Sequence, residues 1–184
     1  MKTGVWVESW FRRGRFRKNL RVRYTFIIII RNIIMAKKTY QEQMHSSYTK
    51  YPIVKSIPPS MLKSWGEGMQ VLPSPLEIHE VMQTIPRGKV MTVKEVCAVL
   101  ATKHKVDMAC PYTTGILMNI VARAIEEDEN DATPWWRTLG SNSEVKPKYP
   151  NAPEEQMALL EAEGFTFKKK GKKCVYWVVD KRDS

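Results

Sequence analysis

The four residues Ser74-Pro75-Leu76-Glu77 constrain the fold most, because Thr92-Val93-Lys94-Glu95 repeats the same device shortly afterwards. In each, a hydroxyl residue is followed three positions later by Glu, the reciprocal capping box that satisfies free N–H groups at a helix start. Pro75 also presets the first turn of its helix. Behind the first box, Leu76, Val81, Met82 and Ile85 form a helical stripe. A turn, Pro86-Arg87-Gly88-Lys89, separates it from the second helix, whose buried face is Val93, Val96, Cys97 and Leu100. A third helix opens at Pro111 and runs apolar through Ile116, Leu117, Ile120, Val121 and Ala124. A fourth begins at Asn151, continues through Met157 and Leu160, and stops at Gly164. The closing FTFKKKGKKCVYWVVD holds two strand patterns around a Lys-rich turn at Gly171, the signature of a hairpin.

Three helices in close order and a terminal hairpin predict an α+β, mostly α, winged-helix-like DNA-binding domain with a C-terminal β-hairpin over residues 69–184, with a short strand around Met69–Leu72. In that architecture the third helix enters a groove and the hairpin touches phosphates. Residues 35–68, polar and carrying Pro52, Pro58 and Pro59, read as an extended N-terminal arm. Residues 1–34 read as a basic and apolar extension, either a basic interfacial helix or, the favoured reading, a segment outside the native protein with translation beginning at Met35. The apolar run Phe26–Ile30 is short, is broken by Arg31 and Asn32, and has no small-residue cleavage site after it. It falls far short of a membrane span, so no membrane partner is expected.

Charge needs the same division. The net +11 is concentrated in residues 1–34, where seven Arg and two Lys against one Glu leave +8, so the rest carries only +3. Global charge therefore overstates affinity for nucleic acid. Three unpaired-looking cysteines, Cys97, Cys110 and Cys174, beside three histidines exclude a disulfide framework and a structural zinc site. No metal and no cofactor is expected. The cysteine usage fits a reducing, cytoplasmic setting, and a monomer is expected.

Two regions carry candidate binding chemistry. On the third helix, Thr113, Thr114, Gly115 and Asn119 are small and polar enough to bring a helix close to DNA, next to N-terminal amides that attract phosphate. On the hairpin, Lys168, Lys169, Lys170, Lys172 and Lys173 surround one glycine, either to neutralise phosphates or to guard a sheet edge. The acidic Glu126–Asp131 run at the far end of the third helix lacks calcium-loop spacing and reads as a solvated turn facing away from DNA. Cys97 and Cys174 read as inert, and Cys110 precedes a helix start with no histidine next to it in sequence.

Ala132-Thr133-Pro134-Trp135-Trp136-Arg137-Thr138-Leu139-Gly140 is the unusual segment, because consecutive residues rarely both face a core. Its setting resembles the DNA-binding domain of the alkylguanine-DNA alkyltransferases (the methylated-DNA-protein-cysteine methyltransferase family). Ile85, Pro86, Gly88, Val90 and Thr92 match the family's IPxGxVxT opening, Pro134 and Arg137 match its PCHR motif, and Leu159-Leu160-Glu161-Ala162-Glu163-Gly164 matches its closing LLxxEG. The resemblance spans roughly residues 74–165. Trp135 stands where the family has its alkyl-accepting cysteine and Trp136 where it has the activating histidine. An indole can neither accept an alkyl group as a thiolate does nor serve as the activating base. The pattern is similar to that of the alkyltransferase-like proteins, which lack the cysteine and bind alkylated guanine without repairing it.

The resemblance implies a non-catalytic protein that binds double-stranded DNA bearing alkylated guanine in DNA repair, with excision-repair proteins as downstream partners. It implies a base pocket of Pro134, Trp135, Trp136, Arg137 and Glu163, in which Trp135 stacks on a flipped base, Arg137 braces and Glu163 holds backbone. It implies DNA contacts from Thr92, Thr113, Thr114, Gly115, Asn119, Lys169, Lys170 and Lys172. Two departures oppose it: Val93 replaces the family's Tyr, and Gly115 or a neighbouring threonine occupies the place of the arginine that fills the gap left by a flipped base. Arg123 is about two turns further on. The rival expectations are a winged-helix interaction module that uses the old pocket for a partner or ligand with little DNA binding, and, last, an enzyme using Cys110.

Overall fold

The structure, a computed structural model, describes residues 38–46, 51–170 and 175–179. The extension 1–34, the turn at Gly171, Lys172 and Cys174 therefore lie outside the described residues. The chain divides into two units, Met1–Lys37 and Lys38–Ser184, and everything below concerns the second.

Element order is α1 (Tyr40–Ser46), β1 (Ile53–Ser56), a 3-10 turn (Pro59–Met61), α2 (Leu62–Trp65), β2 (Met69–Leu72), α3 (Pro75–Gln83), β3 (Met91–Thr92), α4 (Val93–His104), β4 (Met108–Ala109), α5 (Pro111–Glu127), a second 3-10 turn (Trp135–Arg137), β5 (Thr138–Leu139), α6 (Glu154–Glu161), β6 (Thr166–Lys170) and β7 (Val175–Val179). The unit is α+β with helix predominant, as its sequence pattern predicts. Three small sheets complete it: β1-β2-β4, β3-β5 and the β6-β7 hairpin. β2 pairs antiparallel with β1 and parallel with β4, while β3 and β5 are parallel.

Both capping boxes form. The Glu77 N–H donates to Ser74 Oγ at 3.2 Å and the Ser74 N–H to Glu77 Oε2 at 3.0 Å. The Glu95 N–H donates to Thr92 Oγ1 at 3.3 Å and the Thr92 N–H to Glu95 Oε2 at 2.6 Å. The three helices bury Ile78, Val81 and Met82 of α3, Val96 and Leu100 of α4, and Leu117, Met118, Val121, Ala122 and Ile125 of α5 against one another. Each large side chain so buried contributes about 1.5–3 kcal/mol. Two residues expected in this core face outward instead. Leu76 is 41% exposed and Ile116 60% exposed, because each falls outside the three-and-four spacing that its buried neighbours follow.

Within residues 35–68, expected as an extended arm, the described residues include a helix and a strand. Tyr40–Ser46 is helical and docks on α5: the Gln41 N–H donates to Glu127 Oε2 at 2.9 Å, Gln41 Nε2 donates to the Ala124 carbonyl at 2.7 Å, and the Arg123 guanidinium lies 5.5 Å from the Tyr40 ring centroid. Residues 53–56 then add a strand to the first sheet. These partners are distant in sequence, so no local pattern announces them.

Glu77 ties the two capped helices together. Burial alone would raise its carboxyl pKa, but the Ser74 N–H, His104 and Lys103 hold it below the usual carboxylate value. His104 Nε2 lies 2.6 Å and Lys103 Nζ 3.2 Å from Glu77 Oε1. Ser74→Ala should therefore lower stability by about 1 kcal/mol or slightly more, the usual cost of a lost N-cap. Urea denaturation checks this, and Thr92→Ala at the more exposed box should cost less.

Candidate nucleic-acid interface

Pro134 leads into a single 3-10 turn, and that turn separates the two tryptophans. Trp135 points inward and is 1% exposed. Its ring meets Tyr149 edge-on at 5.4 Å and Trp136 edge-on at 6.1 Å, and its Nε1 donates to Glu126 Oε1 at 2.6 Å. Trp136 stays partly exposed and its Nε1 donates to Glu163 Oε1 at 2.9 Å. The structure thus puts Trp135 in the core rather than on the wall of an open base pocket. The ring this loop presents outward is Trp136.

Glu163 organises the loop. Arg137 reaches it through Nε at 2.9 and 3.1 Å and through Nη2 at 2.9 Å, while Arg137 Nη1 donates to the Ile85 carbonyl at 2.7 Å. The Gly88 N–H donates to Glu163 Oε2 at 2.9 Å. Gly88 adopts φ +75°, a left-handed conformation that glycine takes without a Cβ penalty. Burial pushes the Glu163 carboxyl up, but Arg137, the Gly88 N–H and Trp136 outweigh it and hold the pKa below the ordinary value. The Arg137 guanidinium also lies 5.5 Å from the Trp136 ring centroid, so it braces the loop from both sides. Behind it, fully buried Gln156 donates from Nε2 to the Trp136 and Thr138 carbonyls at 3.0 and 2.9 Å. The five residues expected to form a pocket are brought together, with Trp135 buried and Trp136 partly exposed.

The expected DNA-contact residues divide. On α5, Gly115 and Asn119 lie on the partly exposed side, whereas Thr114 is fully buried and cannot reach a ligand on the surface. Thr113 donates its hydroxyl to Cys110 Sγ at 3.4 Å. Thr92 spends its hydroxyl on its own cap. Lys169 lies opposite Tyr176 and Lys170 opposite Val175 on the hairpin, and Lys172 is outside the described residues. Cys97 and Cys110 are both buried. The acidic run is not merely solvated: Glu126 holds Trp135, Glu127 holds α1, and Asp131 lies 2.7 Å from His79 Nε2 and also accepts from Thr133.

Sequence reasoning missed Tyr112 and Ile116, which are 65% and 60% exposed on the same face of α5 as Gly115 and Asn119. A helical wheel starting at Pro111 separates them from the buried Leu117, Met118 and Val121. It also missed Lys146, whose amine sits 3.5 Å from the Gly115 carbonyl and 5.2 Å from the Tyr149 ring centroid. Burial, with Lys148 nearby, lowers its pKa to about 8. Arg123, the nearest arginine to the missing family position, is held at 3.0 Å by the Lys148 carbonyl as well as by Tyr40. Among the described residues, no cluster of His, Cys, Asp or Glu is placed to hold a metal ion, and no helix is long and apolar enough to cross a membrane.

No protein-family model matches the chain, and no curated protein matches it. Two solved structures are similar to it. One is Schizosaccharomyces pombe Atl1 in complex with damaged DNA containing O6-carboxymethylguanine, at 20% identity and a TM-score of 0.41 over 57% of this chain and 87% of that one. The other is S. pombe ATL in complex with DNA, at 18% identity and a TM-score of 0.42 over 59% and 90%.

Glu163→Gln should destabilise the protein by about 3 kcal/mol, because it strands the buried Arg137 charge. The wild type should also lose stability as pH falls from about 4.5 through the lowered Glu163 pKa, since only the unfolded chain then binds the proton. That acid-side loss should shrink in Glu163→Gln, as read from urea midpoints across pH. Lys146 behaves in the opposite sense. Between about 8 and its ordinary 10.5 the unfolded chain holds a proton that the folded chain does not, so stability should rise with pH across that window. Lys146→Met should abolish the rise.

Proposed function

We propose that the chain is a non-catalytic, double-stranded-DNA-binding protein of the alkyltransferase-like type that recognises alkylated guanine. The observation that carries this reading is Gly115. A glycine inside a helix costs about 0.5–1 kcal/mol relative to alanine. Among the described residues, and apart from its chain neighbours and its own helix backbone, a Cβ at Gly115 would meet no atom within 4 Å, so packing there gives no reason for that cost. A close external approach does. Gly115 lies on the α5 face that also presents Tyr112, Ile116 and Asn119, near a helix start whose N-cap, Cys110, makes no side-chain cap. The free amides there suit a phosphate. Of the acids at the other end of α5, Glu126, Glu127 and Asp131 are held by internal partners.

On this reading α5 lies in a groove with Gly115 at closest approach, and the hairpin lysines, among them Lys169, Lys170 and Lys172, neutralise phosphates. A guanine received at the loop meets Trp136 over a floor fixed by Trp135, with Arg137 and Glu163 bracing from behind. Tryptophan at 135 and 136 leaves the loop no nucleophile and no base, so a lesion is bound and not repaired. Excision-repair proteins are the downstream partners this implies.

The test is titration of the full chain with a duplex carrying a central O6-methylguanine and with its unmodified counterpart, across a salt series. Affinity should fall with salt for both duplexes. The lesion duplex should bind about five- to 150-fold tighter, the range expected from about 1–3 kcal/mol of stacking. Gly115→Ala should stabilise the fold by about 0.5–1 kcal/mol yet weaken duplex binding severalfold. Absence of duplex binding at moderate salt, or a Gly115→Ala variant that binds as well as wild type, would sink the proposal.

A further inference from the structure

Lys146 is nearly withdrawn from water, with 8% of its surface exposed. Its backbone N–H donates to Gln156 Oε1 at 3.0 Å, which fixes the residue against α6. Its side chain crosses to α5, where Nζ donates to the Gly115 carbonyl at 3.5 Å and lies 5.2 Å from the Tyr149 ring centroid. An ammonium so placed is costly unless a carboxylate matches it. Among the described residues no carboxylate pairs with it. Glu144, the acid that bears on it, has Oε2 committed to the Asn142 N–H at 2.7 Å. An amine with three N–H groups is thus left with a single long acceptor.

The amine borders open space. Among the described residues, a Cβ added at Gly115 would meet no atom within 4 Å, its chain neighbours and own helix backbone apart. Lys146 therefore reaches the Gly115 carbonyl without filling the room over that residue. One turn further along α5, Asn119 Oδ1 is buried and has no hydrogen-bond partner among the described residues. Two groups with incomplete hydrogen bonding accompany the bare backbone at 115. An amine short of acceptors calls for oxygen, and a phosphodiester carries two unesterified oxygens. The Asn119 amide, turned about its last torsion, presents N–H groups to the same ligand.

We infer that Lys146 is a phosphate contact held beside Gly115, completed only when a duplex backbone lies along the open face of α5. The inference rests on the duplex reading and deepens it. Being buried, the amine adds little to attraction at a distance and acts once the backbone is docked. Burial, with Lys148 nearby, holds the free amine at about 8 against the opposing pull of Glu144. From α5 it meets an uncharged carbonyl and from α6 the uncharged Gln156. Tyr149 stays neutral, because burial raises its hydroxyl pKa. A phosphate beside the amine favours the charged form and raises its pKa. Above about 8 the complex then holds a proton that the free chain lacks, so affinity falls as pH rises. Below about 8 both hold it and the dependence fades. Exposed lysines, with an ordinary pKa of about 10.4, stay charged across this window.

The test titrates the full chain with the O6-methylguanine duplex and its unmodified counterpart between about pH 7 and about pH 9 at constant ionic strength. Wild type should lose affinity about five- to tenfold over that range. Lys146→Met should bind more weakly at neutral pH and show no such loss. Lys146→Arg, which stays charged, should keep its neutral-pH affinity within about threefold and also lose the dependence. A lysine that only supports the fold would change affinity without moving the pH profile. Both duplexes should give the same profile, because a phosphate contact carries no sequence information. Calorimetry near pH 8.5, in two buffers of different ionisation enthalpy, should show about 0.7 proton taken up per wild-type chain bound. A wild-type profile no steeper than that of Lys146→Met overturns the inference and leaves the duplex reading standing. So does a dependence confined to the lesion duplex, or proton uptake near zero. Absence of duplex binding at neutral pH removes both.

Discussion

A buried carboxylate must be matched or it destabilises the fold, and Glu163 is matched by three groups from two separate segments. Arg137 brings a guanidinium from the 134–137 loop, Trp136 brings an indole N–H from the same loop, and Gly88 brings a backbone N–H from the turn between α3 and β3. The end of α6, the first interhelical turn and the tryptophan loop are therefore fixed to one another by one side chain. The left-handed backbone at Gly88 follows from this, since the turn must aim its N–H at Glu163. So does the placement of Arg137, whose third contact, to the Ile85 carbonyl, closes the start of that turn.

The same accounting explains how two adjacent tryptophans are accommodated. Each indole N–H needs an acceptor when withdrawn from water, and each has its own carboxylate. Glu126, at the end of α5, takes Trp135, and Glu163, after α6, takes Trp136. The 3-10 turn sends the first ring to the core against Tyr149 and leaves the second at the surface. Tyr149 is itself fully committed: burial raises its hydroxyl pKa, and that hydroxyl shares a hydrogen bond with Thr138. The interior behind the loop holds Trp135 and Tyr149, rings with satisfied polar ends, and the loop leaves Trp136 partly exposed.

What could be read from the sequence was local. Ser74 with Glu77, Thr92 with Glu95, Pro111 and the alternating strands of the hairpin state their structure within a few residues, and each formed as its chemistry requires. What could not be read depends on distant partners. The helix at Tyr40–Ser46 exists on the surface of α5, the outward turn of Ile116 depends on which stripe α5 buries, and the acids after α5 look solvated until Trp135, Gln41 and His79 are seen beside them. The family resemblance pointed to a bracing role for Arg137 and a backbone-holding role for Glu163, but not to their pairing with each other. The pairing of Trp135 with Glu126 was not legible, and it is what moves Trp135 from pocket wall to core.

The division of labour on the surface follows from where the cations are. The exposed side of α5 carries Tyr112, Gly115, Ile116 and Asn119, which offer shape and apolar contact but no charge, and Arg123 is held by Tyr40 and the Lys148 carbonyl. Lys146 lies beside Gly115 but is buried, with its pKa drawn toward neutrality. A nucleic acid against α5 therefore gains little electrostatic attraction from the helix itself. On the duplex reading proposed above, that attraction comes from the lysines of the hairpin. Phosphate contacts hold a strand without reading it, while close contact at a helix face depends on what lies beneath. On the reading proposed above, the two functions sit on different elements: the hairpin supplies phosphate contacts, and α5 with the Trp136 loop supplies discrimination.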